Sequence, residues 1–149
     1  MLFTRTNTTI TSRVTYSTHS MMTTSVIVID DDQDTLDIFC EFLKLKKVEV
    51  VGKAKNGLQA LNLYKNTKPD IVLMDVMMPD YNGFFGLEKI KEFDSNSKVV
   101  MVTADLTENT AQRLNELGAD EILYKPYEID QVMKTINKLL ESKEESIIA

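Results

Sequence analysis

From Ser25 onward, short apolar runs alternate with stretches in which apolar residues recur every three or four positions. The runs are Val26 to Ile29, Val48 to Val51, Ile71 to Met74, Val99 to Val102 and Glu121 to Tyr124. Short runs with so few polar interruptions suit strands covered on both faces, the environment of a parallel sheet. Between them, Leu36, Phe39, Cys40 and Leu43 share one helix face, Leu58, Leu61 and Tyr64 another, and Leu87, Ile90 and Phe93 a third. A fourth helix is predicted from about Thr107 to Leu117, where Gly118 stops it. Ile129, Val132, Met133, Ile136, Leu139 and Leu140 mark a fifth. The pattern predicts an α/β domain of order (βα)5 over residues 25–143, with no internal repeat.

The ends of the chain lack this pattern. Residues 1–24 are rich in Thr and Ser, hold no Asp or Glu, and carry Arg5, Arg13 and the lone His19. They read as a disordered tail rather than a transit-type leader, and Met21 or Met22 is an equally good start. Residues 144–149 read as a C-terminal tail.

The length of 149 residues and an apolar share of 43% fit one globular domain. Acidic residues outnumber basic ones, 23 to 17. Without Arg5 and Arg13 the remainder holds 15 basic and 23 acidic residues, a formal charge of −8. No basic, aromatic-interleaved stretch occurs, so direct nucleic-acid binding is not expected and protein partners are. Cys40, the sole cysteine, permits no internal disulfide and points to a cytoplasmic chain. No apolar run approaches the roughly 20 residues needed to span a bilayer.

The chemistry gathers where strands end. Asp30, Asp31 and Asp32 close the first apolar run, Asp75 the third and Thr103 the fourth, while Lys125 and Pro126 follow the fifth. Parallel sheets bind ligands at the carboxyl ends of their strands, so these residues should meet in one crevice. Clustered carboxylates repel unless a cation or a proton neutralises them, which predicts hard-metal chemistry beside a nucleophilic aspartate. Asp31 and Asp75 are suited to bind an octahedral ion, and Lys125 supplies a compact cation that discourages a bare metal site.

The strings VIVIDDDQD, IVLMDVMMPDYNG, VVMVTA and YKPY, in this order, resemble the receiver domain of two-component response regulators over residues 25–143. The resemblance implies a flavodoxin-like five-stranded sheet of order 2-1-3-4-5. It implies Asp75 as phosphoacceptor, Asp30 and Asp31 with Asp75 as the magnesium pocket (manganese as an alternative ion), and the backbone carbonyl of Met77 as a further ligand. It makes Thr103 the switch hydroxyl and Lys125 the phosphoryl contact, with a cis Lys125–Pro126 bond. The phosphodonor would be a histidine kinase or a histidine phosphotransfer protein. Many receivers carry a mobile aromatic ring three positions before the lysine, where this chain has Ile122. A shift of the 104–110 loop and of the face formed by the fourth helix, fifth strand and fifth helix is expected instead.

Plainer roles suit several neighbours. Asp32 and Asp34 read as helix caps or solvated turn residues at the start of the first helix. Met74, Met77 and Met78 read as gap fillers rather than a soft-metal site. Asn82 and Gly83 read as a turn, Gly83 taking a backbone conformation that other residues resist. Met77 and Asp105 should line the water route to an acyl phosphate. An aspartyl phosphatase needs a second acid two positions after its nucleophile, where Met77 stands, and a flavin carrier needs a phosphate loop where DDDQD stands. The reading is a stand-alone receiver, not an enzyme, that promotes its own phosphorylation and dephosphorylation and acts on a protein target in trans. The alternative is a phosphorylation-independent adaptor on the same fold.

Overall fold

The computed structural model describes residues 23–148, with side chains to 142. The tail expected over 1–24 lies outside the described residues except for Thr23 and Thr24. The strands are β1 (Ser25–Ile29), β2 (Glu49–Ala54), β3 (Ile71–Asp75), β4 (Val99–Thr103) and β5 (Glu121–Tyr124). The helices are α1 (Gln33–Leu45), α2 (Gly57–Thr67), α3 (Gly83–Phe93), α4 (Glu108–Glu116) and α5 (Ile129–Ile148). All adjacent strands pair parallel in the order β2-β1-β3-β4-β5. This is the flavodoxin-like arrangement, and its order reverses between β1 and β3, which opens a crevice above their carboxyl ends.

The period of two along each strand sorts side chains into two cores. Val26, Val28, Leu73, Val100 and Val102 face α1 and α5, where Leu36, Leu43, Val132 and Ile136 cover them. Ile27, Ile29, Val72, Met74 and Met101 face the other way, against Ala60, Leu87, Ile90 and Leu114. Each such aliphatic side chain contributes about 1.5–3 kcal/mol when fully buried, so the strand ends that carry the polar residues rest on a stiff platform.

Side-chain caps set the helix starts. Asp32, Asn56, Asn82 and Thr107 each accept a backbone N–H three residues on, as N-caps of α1 to α4. Gly118, with φ of 95°, follows the last turn of α4 where the stop was expected.

On α2, Tyr64 is buried and Leu61 packs half-buried against the same core as expected, beside Gly57 and Ala60, whose small size suits close packing on α3. Two expectations need correction. Phe93 is 48% exposed, its ring edge-on to Tyr64 and beneath Lys65 rather than in the core. Met74 and Met78 are buried, but Met77 is 68% exposed and fills no gap. The helical backbone of α5 runs to Ile148, with no Gly or Pro within it.

Candidate phosphoryl and metal site

The crevice is built from strand ends. β1 delivers Asp30 and Asp31, and Asp30 Oδ1 accepts the Asp32 N–H at 2.9 Å, which folds the acidic turn back on itself. Asp32 faces away, capping α1 through the Thr35 N–H at 3.0 Å and also accepting the Thr35 hydroxyl. β3 ends on Asp75, and the Val76 N–H donates to the Val102 carbonyl at 3.0 Å, which continues the β3–β4 alignment beyond the strand. β4 ends on Thr103, whose carbonyl accepts the Lys125 N–H at 2.9 Å. The Lys125–Pro126 bond is cis.

Three of the expected residues come together as carboxylates. Asp30, Asp31 and Asp75 each offer one oxygen, all within 4.8 Å of one another. Asp30 and Asp75 are each only 8% exposed, while Asp31 lies open to solvent. Lys125 Nζ stands 3.2 Å from Asp75 Oδ2 and 3.7 Å from Asp30 Oδ2. Burial, and then the Asp30 charge, push the Asp75 carboxyl above its ordinary value, against the pull of Lys125. A cluster of hard oxygen donors with excess negative charge fits a divalent cation such as magnesium.

Thr103 is 1% exposed, and its hydroxyl accepts the Asp105 N–H at 3.0 Å. Ile122 lies half-buried against the cluster on the α2–α4 side of the sheet. Met77, two residues after Asp75, is exposed to solvent.

The loop from Asp75 to α3 is set by close approach rather than by the backbone freedom first expected of Gly83. A Cβ on Gly83 would stand 2.3 Å from the Asp75 carbonyl oxygen and 2.7 Å from Val76 Cα. The left-handed residue of this loop is Asp80, with φ of 67°. A further contributor was invisible in the sequence: the Gly57 N–H donates to the Tyr81 carbonyl at 2.6 Å, and a Cβ there would meet the Asn82 carbonyl oxygen at 2.4 Å. Asn56-Gly57 in the sequence signals only a turn.

Tyr127 is the other unassigned neighbour. Its ring packs edge-on against Phe39 with centroids 5.4 Å apart, and burial, with Asp30 and Asp75 nearby, pushes its phenol up to about 12. Beside it, Ile38, Phe42, Pro126 and Lys125 line a largely apolar cleft of about 740 Å³.

The family model described as the response regulator receiver domain matches residues 26–137. The chain belongs to this family. Its receiver sequence is 32% identical over 115 residues to the chemotaxis protein CheY of Bacillus subtilis, covering 77% of this chain and 96% of that one. It is also 32% identical over 119 residues to CheY of Halobacterium salinarum, covering 80% and 98%. Among solved structures, the receiver fold resembles the CheX-CheY-BeF3-Mg complex from Borrelia burgdorferi, with TM-score 0.75, 27% identity, and coverage of 78% and 89%. It likewise resembles a CheY-like receiver protein from Methanospirillum hungatei, with TM-score 0.76, 27% identity, and coverage of 83% and 99%. Receiver domains are signalling modules, and no helix among the described residues is long and apolar enough to cross a membrane.

Proposed function

We propose that this receiver takes a phosphoryl group on Asp75 and signals in trans through the face formed by α4, β5 and α5. The observation that carries the reading is the meeting of Asp30, Asp31 and Asp75 within 4.8 Å, with Lys125 Nζ 3.2 Å from Asp75. One Asp75 oxygen attacks phosphorus, the new O–P bond forms as the donor's bond to phosphorus breaks, and the electron pair leaves with the donor. Burial strips water from Asp75 and leaves the oxygen freer to attack. Lys125 neutralises one phosphoryl oxygen and Thr103 donates a hydrogen bond to another. Asp30, Asp31, Asp75 and the Met77 carbonyl would hold magnesium, or manganese, which supplies charge neutralisation between the two anions.

Exposed Met77 and half-exposed Asp105, two positions after Asp75 and Thr103, flank the water route and set the lifetime of the acyl phosphate. The cleft between α1 and the Pro126–Tyr127 segment, apolar and next to Lys125, suits docking of the donor, a histidine kinase or histidine phosphotransfer protein. Exposed Leu106 and Tyr124 border the output face and suit a protein target.

Intact mass after incubation with acetyl phosphate tests this. Wild type should gain one phosphoryl group only with magnesium, and Asp75→Asn, nearly isosteric but not nucleophilic, should gain none. Equal labelling of the two proteins would sink the assignment.

A further inference from the structure

Ile122 is aliphatic, half-buried among apolar neighbours, and has no polar atom to follow a hydroxyl. A polar route to α4 begins instead at Thr103. A hydroxyl has one proton and two lone pairs, so Thr103 Oγ1 can accept the Asp105 N–H at 3.0 Å and still donate to a phosphoryl oxygen. The Asp105 carboxylate in turn accepts the Thr107 N–H at 2.9 Å and the Thr110 hydroxyl at 2.6 Å. The Thr110 hydroxyl first, and then the Thr107 amide, hold the Asp105 carboxyl below its ordinary value, so it stays an acceptor. These bonds run without a gap from the end of β4 into the first turn of α4. The last turn is pinned elsewhere: the Arg113 guanidinium lies 3.9 Å from the centre of the Phe84 ring on α3.

We infer that Thr110 is the positioning residue through which the Thr103 hydroxyl moves α4, with Asp105 as the link. The inference rests on the phosphorylation reading above. Drawing Thr103 toward Asp75 carries the Asp105 amide with it, and the Asp105 carboxylate drags Thr110. Since Arg113 and Phe84 hold the far end, displacement concentrates in the first turn of α4, beside exposed Leu106. A chain with Ile122 thereby moves its output face without a swinging ring.

The test compares wild type, Thr110→Val and Thr110→Ser in the 149-residue chain. Valine keeps the shape and removes the hydroxyl, and serine restores it. Backbone hydrogen exchange across 104–116 is measured before and after adding magnesium and beryllium trifluoride as phosphoryl mimic, with acetyl phosphate labelling in parallel. All three proteins should label equally. Wild type and Thr110→Ser should show the same exchange change in α4, while Thr110→Val should show less than a third of it. An undiminished response in Thr110→Val overturns the coupling role and leaves the phosphorylation reading standing. Absence of labelling in wild type overturns the phosphorylation reading, and the coupling role with it.

Discussion

The two edges of the sheet both carry an aspartate–lysine cluster, with opposite stoichiometry. At the carboxyl edge one lysine, Lys125, faces Asp30 and Asp75, with Asp31 alongside. At the amino edge one aspartate, Asp120, faces Lys91 at 2.9 Å and Lys98 at 4.0 Å, and also accepts the Val99 N–H at 2.8 Å. Lys91 spends a further proton on the Ser97 carbonyl. At the amino edge the single carboxylate is fully compensated by two lysines and hydrogen-bonded to the Val99 N–H, so it ties β4 to α3 and to the turn before β5. The carboxyl-edge cluster is short of positive charge, a deficit that suits a divalent cation. The same residue types thus make a fastener at one edge and a candidate metal site at the other. The number of partners decides which.

Variants at the two edges should therefore separate reactivity from stability. The largest effect belongs to Asp75→Asn, which should lose all detectable acetyl phosphate labelling, whereas Asp120→Ala should label like wild type. If Asp120→Ala labelled poorly while remaining folded, the edges would not be independent. Asp120→Ala should instead cost about 2–3 kcal/mol in urea denaturation, because the buried Val99 N–H loses its acceptor and Lys91 its counter-ion.

Asp31 is the exposed member of the acidic cluster, so Asp31→Ala should change metal-free stability by no more than about 0.5 kcal/mol. Wild type should gain about 2.7 kcal/mol at a magnesium concentration one hundred times its Kd, and Asp31→Ala should lose most of that gain in a thermal melt. A full magnesium response in Asp31→Ala would remove it from the ligand set.

The smallest effect is a pH dependence. Burial and Asp30 raise Asp75, so the folded chain keeps this proton to higher pH than the unfolded chain does. The stability Asp75 contributes is complete below the ordinary carboxyl value of 3.8 and is lost as pH rises through the folded value. Asp75→Asn, which cannot ionise, should then melt above wild type at pH 7, with the gap closing below pH 3.8. A gap that widens on acidification would contradict the raised carboxyl.

The sequence disclosed most of this site because its parts sit at boundaries that are easy to read. Asp75 ends β3, Thr103 ends β4 and Lys125 follows β5, so finding the strands finds the crevice. The cap at Asp32 was equally legible, since an acid just before a helical pattern has one common use. Gly57 was not legible. Its importance comes from the Asn82 and Tyr81 carbonyls of a different βα unit, and no local pattern encodes a contact between two helix starts. Phe93 misled for a related reason: helical spacing places a residue on a face but does not say where the neighbouring helix stops covering it. For Gly83 the residue was right and the reason wrong, because space, not dihedral freedom, excludes a side chain there.

By itself the sequence determined the alternation of strands and helices, the fold class and the identity of the residues at the strand ends. Periodicity and capping are local, and a parallel βα chain has few ways to close. Tertiary structure alone decided which carboxylates share a lysine, that Asp120 is saturated while Asp75 is not, and that Asp105 joins Thr103 to Thr110. Those outcomes depend on side chains brought within about 3 Å by packing, and distances of that order are set by the whole core rather than by any one segment.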